Sequence, residues 1–251
     1  MPTYVDEGIV LRRVDYSETD RVLTVLTRDH GKLGVLARGV RKQGSKLAAH
    51  TDLFVRSRMQ LASGRGELEV LAQAQAASPA PRLDDPRRAA CAALVAELAD
   101  RVLEGGHPLE DGIYELVASA LADCADPARD PRAGVAWFAR RMIDRLGYAP
   151  ELRVCANCGA ELTASPHPFS ASGGGLLCDR CGPSDPGAVV CGVPAIKVLR
   201  VIASGDAELY ARLRLDPEVL ATLENVVERE LAMHLDRRLR SLDVLRSLEA
   251  G

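Results

Sequence analysis

The sequence predicts an α+β multidomain protein that has an N-terminal β-barrel, a helical domain and a four-cysteine module. Three observations lead to this prediction. Apolar residues alternate with period two over residues 4–76, they follow helical spacing over most of residues 85–146 and 194–248, and two Cys-x-x-Cys pairs lie between these helical stretches. A chain of 251 residues with 47% hydrophobic and 27% charged residues can form more than one hydrophobic core.

The N-terminal stretch contains short alternating runs that are separated by turn residues. The run from Val22 to Thr27 is followed by the turn His30-Gly31-Lys32, and further alternating runs cover residues 33–37, 52–62 and 68–72. Five short strands in about 75 residues are typical of a small closed or partly open barrel, and the OB-fold is the natural candidate. We assign this barrel to residues 1–80.

The helical stretches begin after residues 78–86, which are rich in proline and polar side chains. Proline suits the first turn of a helix. We therefore predict helices from Asp85-Pro86 to Glu104, from Pro108 to Asp123 and from Pro131 to Leu146, with further helix over residues 194–248. Residues 81–150 and 193–251 are assigned to one helical domain, and residues 151–192 to a module inserted in it.

The strongest local signal is the pair of knuckles formed by Cys155-x-x-Cys158 and Cys178-x-x-Cys181. Two such turns, brought together, form a tetrahedral sulfur site that suits zinc. Four thiolate ligands leave no position for water, so we predict one structural Zn²⁺. A reactive dithiol and an iron–sulfur cluster are the alternatives. His167 is interpreted as a loop residue, and Cys191 as a packing thiol.

Charge is distributed unevenly along the chain, whose net charge is −3. Residues 1–81 hold 12 Lys+Arg against 9 Asp+Glu, and residues 82–251 hold 20 against 26. No acid occurs from Gly31 to Thr51. We predict that the basic residues in this region contact a phosphodiester backbone, and that two arginines of the next strand extend the surface. The predicted contacts are Lys32, Arg38, Arg41, Lys42, Lys46, Arg56 and Arg58. An ordinary solvated loop is the alternative.

The same stretch does not fit a nucleotide-binding loop. Gly39 and Gly44 have the spacing of such a loop, but Ser45 precedes Lys46, whereas the loop requires lysine before the hydroxyl residue. The barrel contains only Tyr4, Tyr16 and Phe54 as aromatic residues, so DNA contacts are expected to be mostly with the backbone.

We find no catalytic set of residues, and therefore predict that the protein is not an enzyme. The sequence also has no apolar run of about 18 residues and no signal peptide, so we expect a cytoplasmic protein that does not bind membranes.

Two segments resemble the RecO family of bacterial DNA recombination and repair mediators, in its zinc-bearing type. They are DEGIVLRRVDYSETDRVLTVLTRDHGKLGVLARGVRKQGSK, from Asp6 to Lys46, and HLDRRLRSLDVL, from His234 to Leu245. The resemblance implies an OB-fold, a helical domain and a zinc module, together with Arg38, Arg41, Lys42 and Lys46 as DNA contacts.

The resemblance further implies binding to single- and double-stranded DNA and annealing of complementary strands, in association with the nucleoid. The implied partners are RecR, single-strand DNA-binding protein and, indirectly, RecA, which is loaded onto DNA. Arg132, Arg140 and Arg141 are candidates for a basic rim that would bind the tail of the single-strand DNA-binding protein.

A mediator without enzymatic activity is therefore the leading hypothesis. The alternatives are a zinc-ribbon accessory protein of transcription or translation that acts through protein contacts, and an enzyme such as a nuclease or a thiol oxidoreductase.

Overall fold

The computed structural model describes residues 3–63, 66–235 and 238–249. The chain divides into two units, of which the first comprises Met1–Pro131 with Leu239–Gly251 and the second comprises Arg132–Arg238. The predicted division into residues 1–80, 81–150 with 193–251, and 151–192 follows the type of secondary structure and stays a prediction.

Five strands form a closed barrel in the first unit. They are β1 (Thr3–Asp15), β2 (Arg21–Thr27), β3 (Gly31–Ala37), β4 (Arg56–Ala62) and β5 (Leu68–Ala76). Their order around the barrel is β1-β2-β3-β5-β4, and every neighbouring pair is antiparallel except β3 with β5. The alternation along the strands fills the barrel with apolar side chains such as Val10, Leu23, Val25 and Met59, each fully buried. The predicted OB-like barrel is thus confirmed.

The length of β1 closes the barrel. Its residues Thr3–Ile9 pair with β4, and its residues Gly8–Asp15 pair with β2, with a bulge between Val10 and Arg12. Arg21 of β2 is paired with Asp15 on one side and with Ala37 on the other. The loop after β1 and the loop after β3 therefore leave the same end of the barrel.

The helices of the described residues are α1 (Pro86–Val102), α2 (Ile113–Ala125), α3 (Pro131–Arg145), α4 (Val193–Ser204), α5 (Ala207–Arg212), α6 (Pro217–His234) and α7 (Arg240–Glu249). The helix predicted to begin at Pro108 begins five residues later, because Gly112 takes a left-handed conformation with φ of 80° at the N-cap. Among these helices, none is both long enough and apolar enough to cross a membrane.

The last helix, α7, belongs to the same unit as the barrel. It packs on α1, and Glu97 of α1 accepts hydrogen bonds at the N-terminus of α7 from the backbone N–H groups of Arg240 and Ser241, at 3.1 and 2.8 Å. A carboxylate at this position satisfies N–H groups that have no partner within the helix. Glu97 therefore fixes the returning chain to the first unit.

The second unit contains α4, α5, α6, nearly all of α3, and a small sheet in the order β7-β6-β8. Its strands are β6 (His167–Ser170), β7 (Gly175–Leu176) and β8 (Val189–Cys191). Arg140 of α3 is 1% exposed, and its Nη1 lies 2.6 Å from Oε1 of Glu230 on α6. Arg140 was predicted as a candidate for a basic rim on the surface, and this prediction is wrong because the side chain is buried. Arg140 instead joins α3 to α6.

A first prediction concerns Gly31, at the start of β3, which has φ of 75°. A Cβ at this position would lie 1.9 Å from the carbonyl oxygen of His107. Gly44 has a similar φ of 77°, but a Cβ there would meet nothing within 4 Å. We expect Gly44→Ala to lower the free energy of unfolding by about 1 kcal/mol, the cost of a left-handed backbone for alanine. Gly31→Ala should lower it by about 1–3 kcal/mol more, because the added Cβ overpacks the site. Chemical denaturation of both variants measures the difference, and equal losses would contradict the close approach.

A second prediction concerns Glu230, since burial raises the pKa of its carboxyl group to about 7 even though Arg140 favours the charged form. The folded protein therefore binds a proton that the unfolded chain has already released between about pH 4.5 and pH 7. Glu230 should thus lower the free energy of unfolding as the pH rises through this interval. In Glu230→Gln this loss disappears, so the stability of the variant relative to the wild type should be greater at pH 8 than at pH 5. A pH-independent difference between the two proteins would show that Glu230 does not titrate there.

Candidate nucleic-acid interface and metal centre

The loop that follows β3 carries a group of exposed cations. In residues 38–46, called the basic loop below, the side chains of Arg38, Lys42 and Lys46 are exposed. Within the described part of the chain, none of these three makes an ion pair within 4.0 Å. Gly39 and Gly44, both with positive φ, allow the loop to turn at these positions. The predicted contact residues of this loop therefore lie together, with three positive charges open to solvent.

Arg41 has a different position from the other cations of the basic loop. Its Nη1 donates to the carbonyl oxygen of Ser17 at 2.7 Å, its Nη2 lies 3.4 Å from Oδ2 of Asp15, and its backbone N–H donates to the carbonyl oxygen of Thr19 at 3.0 Å. The guanidinium therefore connects the basic loop to residues 16–20, the β1–β2 loop. Arg41 acts as an anchor of the basic loop in addition to carrying charge.

Asp20 provides a second connection between the same two loops. Its Oδ1 accepts a hydrogen bond from the backbone N–H of Gly39 at 2.8 Å and another from the hydroxyl of Thr19 at 2.9 Å. The hydrogen bond from Gly39 is the main reason that the pKa of Asp20 lies below its ordinary value. The charge pattern did not indicate this role of Asp20, because Asp20 and Gly39 are 19 residues apart in the sequence.

The remaining predicted contacts lie outside the basic loop. The Nζ of Lys32 lies 3.2 Å from Oδ1 of Asp100 on α1, and the Nε of Arg56 donates to Oε1 of Glu7 at 2.7 Å. Arg58 of β4 is exposed. Ion pairing partly neutralises Lys32 and Arg56, so the structure gives these two residues less support as DNA contacts than the residues of the basic loop.

Phe54 and Arg56 line a cavity of about 540 Å³ between the barrel, residues 78–82 and α2. Phe54 precedes β4 and has φ of 67°, which is unusual for a bulky side chain. The wall formed by α2 consists largely of small residues, among them Ala118 and Ala122. Phe54 therefore lies outside β4, which begins at Arg56, although the alternating run over residues 52–62 predicted a strand there.

The four cysteines of the two knuckles converge in the second unit. The Sγ atoms of Cys155, Cys158, Cys178 and Cys181 all lie within 4.8 Å of one another, with 3.7 Å between those of Cys158 and Cys178. Each knuckle is closed by a backbone hydrogen bond of 2.8 Å, from Gly159 N–H to the carbonyl oxygen of Cys155 and from Gly182 N–H to that of Cys178. Four thiols in this arrangement could hold a metal ion.

The surroundings favour negative charge on Cys155 and Cys178, whereas the neighbouring thiols outweigh the hydrogen bond from Asn157 and raise the pKa of Cys181 to about 11. Desolvation opposes ionisation of Cys155, but backbone N–H groups, first that of Cys178, lower the pKa of its thiol to about 6. The Nδ2 of Asn157 donates to Sγ of Cys181 at 3.3 Å. Arg180 has a raised pKa because it hydrogen-bonds the sulfur of Cys158 and, more weakly, that of Cys178. Asn157 and Arg180 were not among the predicted site residues, although both occupy the variable positions inside a knuckle.

Two residues near the knuckles do not belong to the sulfur cluster. Cys191 is fully buried on β8, and burial raises the pKa of its thiol to about 12, as expected for a packing residue. His167 is not a loop residue as predicted, because it lies on β6 with 3% exposure. Its Nε2 lies 3.0 Å from the carbonyl oxygen of Thr163, which accepts a hydrogen bond from the ring.

Comparison with known proteins gives matches over nearly the entire chain. Residues 1–80 match the family model "Recombination protein O N terminal", and residues 83–243 match "Recombination protein O C terminal". The proteins named DNA repair protein RecO from Desulforudis audaxviator and from Roseiflexus sp. are each 36% identical to this chain. The first alignment covers 99% of this chain and 98% of the relative, and the second covers 96% and 84%. The chain therefore belongs to the RecO family of DNA repair proteins.

Proposed function

We propose that this protein mediates DNA recombination and repair without enzymatic activity, by binding single- and double-stranded DNA and annealing complementary strands. The observation that carries the proposal is the basic loop. Arg38, Lys42 and Lys46 are exposed there and make no ion pair with any residue that the structure describes, while Arg41 and Asp20 hold the loop at one end of the barrel. Family membership supports the same function.

The charge of the basic loop suits annealing for an electrostatic reason. Two complementary strands repel each other through their phosphates. Lysine and arginine neutralise phosphates and so reduce this repulsion, and the counterions that are released favour binding. Contacts to phosphate carry no sequence information and leave the base edges free to pair. The protein would thus supply charge neutralisation, and the strands would supply the specificity.

The proposed partners follow from family membership. They are RecR, with which this protein would help to load RecA, and single-strand DNA-binding protein, which coats the DNA that receives RecA. We place this activity in the cytoplasm, at the nucleoid. Arg141 and Arg132 are half-buried and lie near acids, with Arg141 Nη1 3.1 Å from Oδ2 of Asp144 and Arg132 Nε 3.9 Å from Oε1 of Glu224. They remain candidate contacts for the tail of the single-strand DNA-binding protein.

We propose that the four cysteines hold one structural Zn²⁺. Zinc–sulfur bonds of about 2.3 Å in a tetrahedron place the sulfurs about 3.8 Å apart, and the distance between Cys158 and Cys178 is 3.7 Å. The ion would join the two knuckles and add to the stability that residues 151–192 gain from buried apolar side chains such as Phe169 and Leu176. Four thiolates complete the coordination sphere, which gives the ion a role in folding.

The DNA interface is tested by the triple variant Arg38→Ala, Lys42→Ala and Lys46→Ala. We expect its affinity for single-stranded DNA to fall by at least about tenfold at low salt. The slope of log affinity against log salt should fall by about 2, because each phosphate contact contributes about 0.7. Fluorescence anisotropy across a salt series measures both quantities.

The matched control replaces Arg82, Arg87 and Lys197, three exposed cations elsewhere in the chain, by alanine. It removes the same total charge and should leave affinity within about twofold. If both triple variants lose the same affinity for single-stranded DNA, binding depends on net charge alone and not on the basic loop. A wild-type protein that binds no DNA at low salt would instead favour an accessory protein that acts through protein contacts.

The metal centre is tested by Cys158→Ser, with Cys191→Ala as the control that removes a buried thiol outside the cluster. Elemental analysis should find one zinc per chain in the wild type and in the control, and much less than one in Cys158→Ser. Thermal unfolding of Cys158→Ser should begin at a lower temperature, since metal binding contributes to folding. Iron in place of zinc, with visible absorbance, would indicate an iron–sulfur cluster.

A further inference from the structure

Tyr16, in the β1–β2 loop, exposes 69% of its surface to solvent. Its backbone N–H donates to the carbonyl oxygen of Asp20 at 3.0 Å, which closes the loop and holds the residue at its start. Within the described part of the chain, no ring contact involves Tyr16, whereas Tyr4 and Tyr114 contact His30 and Arg28 respectively. Single exposed apolar residues are common on protein surfaces, so exposure alone does not indicate a function for Tyr16. Its position relative to the basic loop is the relevant observation.

The position of Tyr16 is set by the anchor of the basic loop. The guanidinium of Arg41 contacts the residue on each side of Tyr16, namely the carboxylate of Asp15 at 3.4 Å and the carbonyl oxygen of Ser17 at 2.7 Å. The ring is therefore carried by the same short segment to which the basic loop is bound. An exposed aromatic side chain thus accompanies the exposed cations Arg38, Lys42 and Lys46 at one end of the barrel.

The acids close to Tyr16 interact mainly with groups other than the side chains of Arg38, Lys42 and Lys46. Asp15 also accepts a hydrogen bond from Nε of Arg21 at 3.0 Å, and this contact is the main cause of its lowered pKa. Asp15 is thus shared between Arg21 and Arg41. Asp20 accepts a hydrogen bond from the backbone N–H of Gly39, and the charge of Arg38 contributes less to its lowered pKa. Glu18 is the remaining acid of the loop and is exposed, so it offers a charge that can be removed independently of Tyr16.

We propose that Tyr16 stacks on a nucleobase of single-stranded DNA while the basic loop holds the adjacent phosphates. This inference rests on the proposed function and adds a preference for single strands to it. An aromatic ring can stack on any base, and such contacts depend little on sequence. In a duplex the bases are already stacked on one another, so Tyr16 gains nothing from them. One stacked base leaves the others free to pair during annealing.

The experiment compares Tyr16→Ala and Tyr16→Phe with the wild-type full-length protein. Fluorescence anisotropy is measured with a thymidine 30-mer and with a 30-base-pair duplex at several salt concentrations. We expect Tyr16→Ala to bind the single strand about tenfold more weakly, which corresponds to about 1.4 kcal/mol and lies in the range for one stacked base. Duplex affinity should change by less than about twofold and the salt slope should stay constant. Tyr16→Phe should bind as the wild type does.

An abasic 30-mer provides a direct test of stacking, because it has the phosphates but not the bases. Tyr16→Ala should bind this oligomer as well as the wild type does. Tyr16→Leu, which keeps an apolar side chain without a ring, should resemble Tyr16→Ala on the thymidine 30-mer and covers the case in which the alanine variant folds poorly. Glu18→Gln should raise affinity for single strand and duplex alike, through charge.

Three results would overturn the inference. They are an unchanged affinity of Tyr16→Ala for the single strand, an equal loss for single strand and duplex, and a loss in Tyr16→Phe as large as in Tyr16→Ala. Each of them leaves the proposed function standing if the wild type binds DNA. If the wild type binds neither the single strand nor the duplex, both the inference about Tyr16 and the proposed function are wrong. Such a result would favour a protein partner for this surface.

Discussion

The pairing of Arg21 with both Asp15 and Ala37 determines where the candidate interface lies. In a closed barrel, strands that are paired at one end must release their loops at that end. The β1–β2 loop and the basic loop therefore leave the barrel side by side. Arg41 and Asp20 then join the two loops by hydrogen bonds between residues that are 24 and 19 positions apart in sequence. Without this register, the cations of the basic loop would have no fixed relation to the rest of the barrel surface.

The barrel was predictable because its signal is local. Alternating residues place every second side chain inside, and this rule needs no knowledge of distant parts of the chain. The start of α2 was harder to predict from the sequence, because Pro108 suggested a helix start whereas Gly112 provides the N-cap. The convergence of the four cysteines followed from their spacing, since the tight turn of each knuckle brings two sulfurs together.

The roles of individual charges could not be predicted in the same way. Lys32 and Arg38 look equivalent in sequence, yet Lys32 lies against Asp100, which is 68 residues away, and Arg38 is exposed. Arg140 is buried against Glu230 and so differs from Arg141, its neighbour. A charged side chain contributes to a surface only if no distant partner neutralises it. The fold determines which distant side chains form ion pairs, and the charge pattern of the sequence alone does not predict them.

The central claim is that DNA binds at the end of the barrel where these two loops meet. Hydrogen exchange of the 251-residue chain, with and without a thymidine 30-mer, tests it most directly. We predict slower exchange in residues 16–20 and 38–46 when DNA is bound, and unchanged exchange in residues 155–181. Bound DNA that protects residues 155–181 and leaves both loops unprotected would contradict the claim.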